Sequence, residues 1–260
     1  MSLREAALQA LLLADPATKA SRARELLAQV DTMALDPAQR LEAPQGLPGR
    51  PSRPPLVPPK DVPTRTPFTP EGRARLLHAI AHIEFNAINL ALDAVWRFAG
   101  MPAAFYRDWL RVAGEEAHHF TLLREHLQGL GFDYGDFDAH DGLWLMTQRT
   151  AHDIVARMAL VPRTLEARGL DATPPLQAKF ARAGDARAVE ILSIILRDEV
   201  GHVAIGNHWY RWLCERDGLD PLALYPELAA RYDAPRLRPP FNREARRAAG
   251  FSDEEIDRLG

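Results

Sequence analysis

Glu199 and His202 stand three residues apart at the end of a largely apolar run, Ile191–His202. On a helix that spacing aims both side chains from one face. A carboxylate and an imidazole so placed can grip one metal ion. The chain holds a second copy, Glu116 and His119, within Ala113-Gly114-Glu115-Glu116-Ala117-His118-His119-Phe120. Two Glu-x-x-His pairs, completed by one lone Glu from each of two further helices, make the donor set of a dinuclear iron or manganese centre inside a helical bundle.

Glu84 and Glu166 supply the lone carboxylates. Glu84 lies in His82-Ile83-Glu84-Phe85-Asn86 and Glu166 in Arg163-Thr164-Leu165-Glu166-Ala167-Arg168, both in apolar helical stretches. Two residues at equal depth in a helical hairpin are equidistant from its turn. Glu84 and Glu116 have their midpoint at residue 100, in Gly100-Met101-Pro102. Glu166 and Glu199 have theirs between 182 and 183, beside Gly184-Asp185. The ligand set is therefore Glu84, Glu116, His119, Glu166, Glu199 and His202. Shifting one pair to Glu115 and His118 is an alternative frame that the depth argument disfavours. Asp153 is an alternative carboxylate with a poorer turn at its midpoint.

Four carboxylates and two neutral imidazoles suit two iron ions, with manganese or a mixed Mn/Fe pair as the alternative. Zinc prefers fewer ligands and often cysteine. Ligating histidines donate their second N–H to an acceptor. Asp198 and Glu115 each precede a ligand Glu, and are expected to orient His119 and His202 respectively. His78, His82, His152 and His208 are expected to be core or surface histidines. The five tryptophans are expected in the core.

The elements that must position these residues follow from periodicity and punctuation. Residues 1–40 form a helical extension interrupted at Pro16. Residues 41–70 hold ten of the 21 prolines and are expected to be an extended arm, anchored through Leu56, Val57, Val62 and Phe68. Residues 71–218 form the bundle. Its first helix opens at Thr69-Pro70 with Leu76, Ala79, Ile83, Ala87, Leu90 and Ala94 at helical spacing. The second runs from about residue 103 to 128. The third is broken at Pro162 and again at Pro174-Pro175. The fourth runs from about residue 186 to 216. Residues 219–260 are a tail packed on the bundle, with a short last helix opened by a Ser252/Glu255 capping box. No strand pattern is present, so the expected fold is all-α.

Composition excludes several classes. A formal net charge of −3 carries no strong bias toward nucleic acid or anionic lipid. Cys214 is the lone cysteine, which rules out an intrachain disulfide. No apolar run reaches the roughly 18 residues of a membrane helix. A soluble, cytoplasmic protein is expected, without membrane partners and as a monomer or dimer.

Residues from about 72 to 215 resemble the ferritin-like superfamily of di-iron carboxylate proteins. The segments Leu165–Asp171 and Arg197–His202, with Pro239-Pro240-Phe241-Asn242 and Ala248-Ala249-Gly250-Phe251, are most similar to a bacterial ferritin-like family of unknown function. The Glu166-Ala167-Arg168 stretch is also similar to the di-iron tRNA hydroxylase that acts on methylthio-isopentenyl adenosine. The resemblance implies a dioxygen-activating di-iron centre and leaves the substrate open. An oxidoreductase, an oxygenase or oxidase, is expected. It would act on a small-molecule or nucleoside substrate and draw electrons from an external donor, since no flavin, nicotinamide or iron–sulfur motif is present. Iron storage or peroxide detoxification is a competing function. A tRNA- or protein-binding module, using Arg236, Arg238, Arg243, Arg246 and Arg247, is another.

Overall fold

In the computed structural model, which describes residues 1–62 and 66–259, the chain is all-helical. No strand occurs among the described residues; Leu56 and Ala139 form an isolated parallel bridge. The chain divides into two compact units, Met1–Trp144 and Leu145–Gly260.

The first unit begins with α1 (Leu3–Leu12) and α2 (Pro16–Ala28), then continues through the arm to α3 (Pro70–Arg97) and α4 (Ala103–Gly129). Local chemistry sets the ends. Ser2 and Glu5 form a capping box on α1, and the Asp15 side chain accepts the Thr18 amide to open α2. Thr69 accepts the Gly72 amide at 3.1 Å, with Pro70 in the first turn of α3, where its missing N–H costs nothing. The turn between α3 and α4 is held by Tyr106, whose hydroxyl donates to the Phe98 carbonyl at 2.8 Å and accepts from the Met101 amide at 3.2 Å.

Two buried cations tie the N-terminal helices to α3. Arg4 donates to the last-turn carbonyls of Val95 (3.2 Å) and Trp96 (2.7 Å), which have no partner inside the helix. It also reaches the Gln39 carbonyl. Lys19 on α2 donates to Asn89 Oδ1 of α3 at 2.6 Å and to the Gly49 carbonyl of the arm at 2.8 Å. Its ammonium lies 5.1 Å from the centre of the Phe85 ring. Burial pushes the Lys19 amine down from 10.5 to about 7.

The arm departs from expectation in how it is held. Leu56 is 41% and Phe68 60% exposed, and Val57 and Val62 are half-buried. Backbone contacts anchor it instead. The Val57 amide donates to Ala139 (2.8 Å) and the Ala139 amide to Pro55 (3.0 Å), while Arg50 pairs with Asp141 at 2.6 Å. Positions 63–65 lie outside the described residues. Ile83 also departs from the predicted core stripe: it is 46% exposed, whereas its neighbours His82 and Glu84 are buried.

The chain passes through α5 (Gly142–Arg149) to the second unit, which holds α6 (Ile154–Leu160), a π-helical segment (Val161–Glu166), α7 (Arg168–Arg182), α8 (Ala186–Asp217), α9 (Pro221–Arg231), α10 (Arg243–Ala248) and α11 (Asp253–Asp257). The expected break at Pro162 takes the form of the π-helical turn. Proline leaves the carbonyl four residues back unbonded, and the wider turn absorbs the ring. The Ala167 amide closes that turn on the Pro162 carbonyl at 3.1 Å, and the Thr164 hydroxyl takes the Ala159 carbonyl at 2.8 Å.

The break expected at Pro174-Pro175 does not occur; both prolines lie inside α7. Pro174 deprives the Leu170 carbonyl of its helical donor, and the Asn242 side chain donates to that carbonyl instead, at 3.1 Å. The tail is also more ordered than expected. Asp220 accepts the Leu222 amide ahead of Pro221 to start α9, and Asn242 caps α10 through the Ala245 amide. The Ser252/Glu255 capping box is present on α11. Gly206 of α8 lies against the π segment. A Cβ there would meet the Pro162 ring at 2.6 Å, so only glycine permits this approach.

Candidate metal centre

The first unit brings three of the expected ligands together. Glu84 projects from α3, and Glu116 and His119 from successive turns of α4. His119 Nδ1 lies 3.1 Å from Glu84 Oε2 and 3.3 Å from Glu116 Oε2. One donor atom from each of the three falls within 4.8 Å of the others. All three are buried, Glu116 and His119 completely. His118 is exposed and Glu115 half-buried, so the interior position belongs to the Glu116/His119 frame.

Two buried carboxylates at such separation repel each other and lose hydration, a cost that a divalent cation removes. Carboxylate oxygen and imidazole nitrogen are ordinary ligands of divalent metals, so these residues could hold such an ion.

An aromatic layer lies beside them. Phe85 and Phe120, the neighbours of Glu84 and His119 in sequence, approach to 5.4 Å between ring centres. Tyr134 packs on both, at 5.4 and 5.1 Å. The Tyr134 hydroxyl lies 2.9 Å from His82 Nδ1, and His82 Nε2 is 3.1 Å from the His140 carbonyl. The Asn86 side-chain nitrogen also lies 2.9 Å from His82 Nε2, so both ring nitrogens have polar partners. Burial pushes His82 down to about 3 and leaves the ring neutral. His78 is likewise a core histidine, with Nε2 accepting the Gly135 amide at 2.9 Å. Phe85 and Phe120 are expected as apolar walls of the site from the sequence, but Tyr134 is not: it lies in a Gly- and Asp-rich stretch, 131–141, that reads as a plain loop.

In the second unit, Glu199 and His202 project from α8, with His202 Nδ1 3.8 Å from Glu199 Oε1. Gly169 of α7 backs the Glu199 side chain, since a Cβ there would lie 3.9 Å from the carboxyl carbon. Glu166 closes the π segment. All three are more than nine-tenths buried. Asp198 forms a two-pronged pair with its neighbour Arg197, at 2.8 and 3.1 Å. The alternative carboxylate, Asp153, is a helix cap: its side chain accepts the Ala156 amide at 2.9 Å and opens α6.

The basic tail is largely internal. Arg243 pairs with Asp253 and Asp257, Arg247 with Asp253, and buried Arg246 with Asp171. Of the five arginines, Arg236 and Arg238 are the exposed ones without an ion pair among these.

Fold and site together define an all-helical protein with carboxylate–histidine groups able to hold a metal ion. No helix among its described residues is long and apolar enough to cross a membrane. The chain belongs to the family described as "Protein of unknown function (DUF455)", whose profile matches residues 12–257. An uncharacterized protein of Haemophilus influenzae (strain ATCC 51907 / DSM 11121 / KW20 / Rd) is 54% identical over 239 residues, covering 89% of this chain and 83% of that protein. No solved structure matches the chain at a significant level.

Proposed function

We propose that this is a dinuclear metal protein of the ferritin-like kind, and that it activates dioxygen as an oxygenase or oxidase. The observation that carries the reading is the buried convergence of Glu84, Glu116 and His119, whose donor atoms lie within 4.8 Å of one another. Glu166, Glu199 and His202 form the matching set, identical in residue types and in the Glu-x-x-His spacing. Each set of two carboxylates and one imidazole suits one divalent iron, with manganese as the alternative.

When bound and reduced, a metal pair of this kind supplies electrons to dioxygen. The protein's own part is to hold, neutralise and dry. The carboxylates offset the positive charge. The imidazoles are ligands only in the neutral form, so binding releases any proton they carry. Buried Phe85, Ile88 and Phe120 in the first unit, and Ile195 in the second, exclude water from the donors on their own sides. Oxidation of a substrate by dioxygen needs further electrons, which an external donor would supply.

Metal analysis of protein purified without added metal tests this. We expect about two iron or manganese ions per chain. Glu84→Ala and Glu199→Ala should each lower that content while circular dichroism retains the helical signal. Ferrous protein prepared without oxygen should then consume dioxygen on mixing. Continued iron uptake far beyond two per chain would indicate storage. Fully folded protein with no metal, unaltered by either substitution, would refute the reading.

A further inference from the structure

Glu166 occupies an irregular place, the last residue of a π-helical turn. The residues on both sides of it are gripped by the C-terminal tail. Upstream, Arg163 is 3% exposed and donates to Glu255 Oε1 at 2.8 Å and to Asn207 of α8. Its guanidinium also stacks 4.6 Å from the centre of the Phe251 ring. Downstream, Asp171 accepts from Arg246 at 3.1 and 2.6 Å and from the Asn242 amide at 2.8 Å. The Asn242 side chain takes the Leu170 carbonyl. The tail returns some 70 to 90 residues along the chain to make these bonds.

We infer that the segment from Asn242 to Glu255 is a clamp whose task is to position Glu166 for its metal, with Arg163 and Asp171 as its two points of purchase. This rests on Glu166 being a metal ligand. The pattern of bonds favours positioning over general bracing. The tail does cover a core, burying Ala249, Phe251 and Ile256 with Ala167, Leu170 and Val203, and that cover needs no polar bonds. Here fixed-geometry pairs converge within five residues on either side of one carboxylate. Arginine forks and charge-assisted bonds hold direction as well as distance. Partners behind a ligand in this way typically change metal affinity 10–100-fold when removed.

The test is cobalt(II) titration of the full chain, followed by visible absorption and equilibrium dialysis. It uses wild type, Glu166→Ala, Arg163→Lys, Asn242→Ala, and each of the last two combined with Glu166→Ala. Arg163→Lys keeps the charge but loses the fork. Asn242→Ala removes the donor to the Leu170 carbonyl together with the side-chain cap of α10, at a half-buried site, and serves if the arginine variant does not fold. We expect each single clamp variant to weaken cobalt binding about 10-fold or more and to alter the absorption bands, with helicity kept. In the Glu166→Ala background the same substitutions should have no further effect, since a clamp acting through Glu166 has nothing left to position. Clamp effects that persist undiminished in that background would overturn the proposal and leave Glu166 a ligand. Unchanged cobalt binding in the clamp variants would do the same. Unchanged binding in Glu166→Ala alone would defeat the ligand assignment and the clamp with it.

Discussion

Replacing Gly206 by alanine should destabilise the protein, although alanine is the better helix former. The new Cβ would sit 2.6 Å from Pro162 Cβ and 2.8 Å from its Cγ. Carbon atoms in contact rest about 3.5–4.0 Å apart, so the π segment and α8 must separate by about 1 Å. A proline ring cannot swing aside as a flexible side chain does. Overpacking of this kind costs about 1–3 kcal/mol, and the gain from replacing a mid-helix glycine offsets about 1 kcal/mol. The net loss is then up to about 2 kcal/mol, a fall in Tm of up to roughly 8 °C for a chain of this size. Gly201 on the same helix is the control: it is exposed, and a Cβ there meets nothing within 4 Å. Gly201→Ala should raise Tm by roughly 1–4 °C, the propensity gain alone. Thermal melts by circular dichroism decide between them. If both variants shift upward alike, the close approach of Pro162 to α8 is wrong.

Lys19 makes stability depend on pH. Its folded pKa of about 7 lies below its ordinary 10.5, so the unfolded chain binds the extra proton between these values. Stability is unaffected by the buried amine above about pH 10.5 and falls as pH drops toward 7, by about 1.4 kcal/mol per unit; below 7 the loss is constant. Lys19→Met should flatten denaturant-derived stability between pH 7 and 10, and an unchanged slope would show that the amine is not the source. Tyr134→Phe should leave His82 Nδ1 buried without its hydroxyl partner and cost about 1–3 kcal/mol, read as a lower urea midpoint. An unchanged midpoint would mean that the hydroxyl contributes nothing there. Asp153→Ala removes the cap of α6 and should cost about 1 kcal/mol, whereas a ligand role would show as lost metal at unchanged stability.

Much of the helical framework was legible because its signals are local. Thr69-Pro70, Asp185 and the Ser252/Glu255 box mark helix starts through bonds spanning three residues. Gly184 and Gly218 mark ends by adopting positive φ, where other residues are strained. The depth match of Glu84 with Glu116 needed only a hairpin and its turn, and the structure turns at Gly100 with those side chains adjacent to His119. α9 was missed although its signal was present: Asp220-Pro221 is the same cap-and-proline start as Thr69-Pro70.

The chain alone thus determined an all-helical fold, the helices that carry the paired Glu and His residues, and the burial demanded by apolar surroundings. Tertiary structure decided what distant residues do for one another. Pro174 and Pro175 do not break their helix, since Asn242 supplies the donor that the first of them lacks. Arg243, Arg246 and Arg247 read as a basic tail, yet they pair with acids 6 to 75 positions away. Lys19 looks like a surface charge on a short helix, yet it is fully buried against Asn89. Helix starts and stops are marked by partners within four residues. The fate of a charge or an orphaned carbonyl depends on which remote group folding brings within 3 Å, and periodicity carries no record of that.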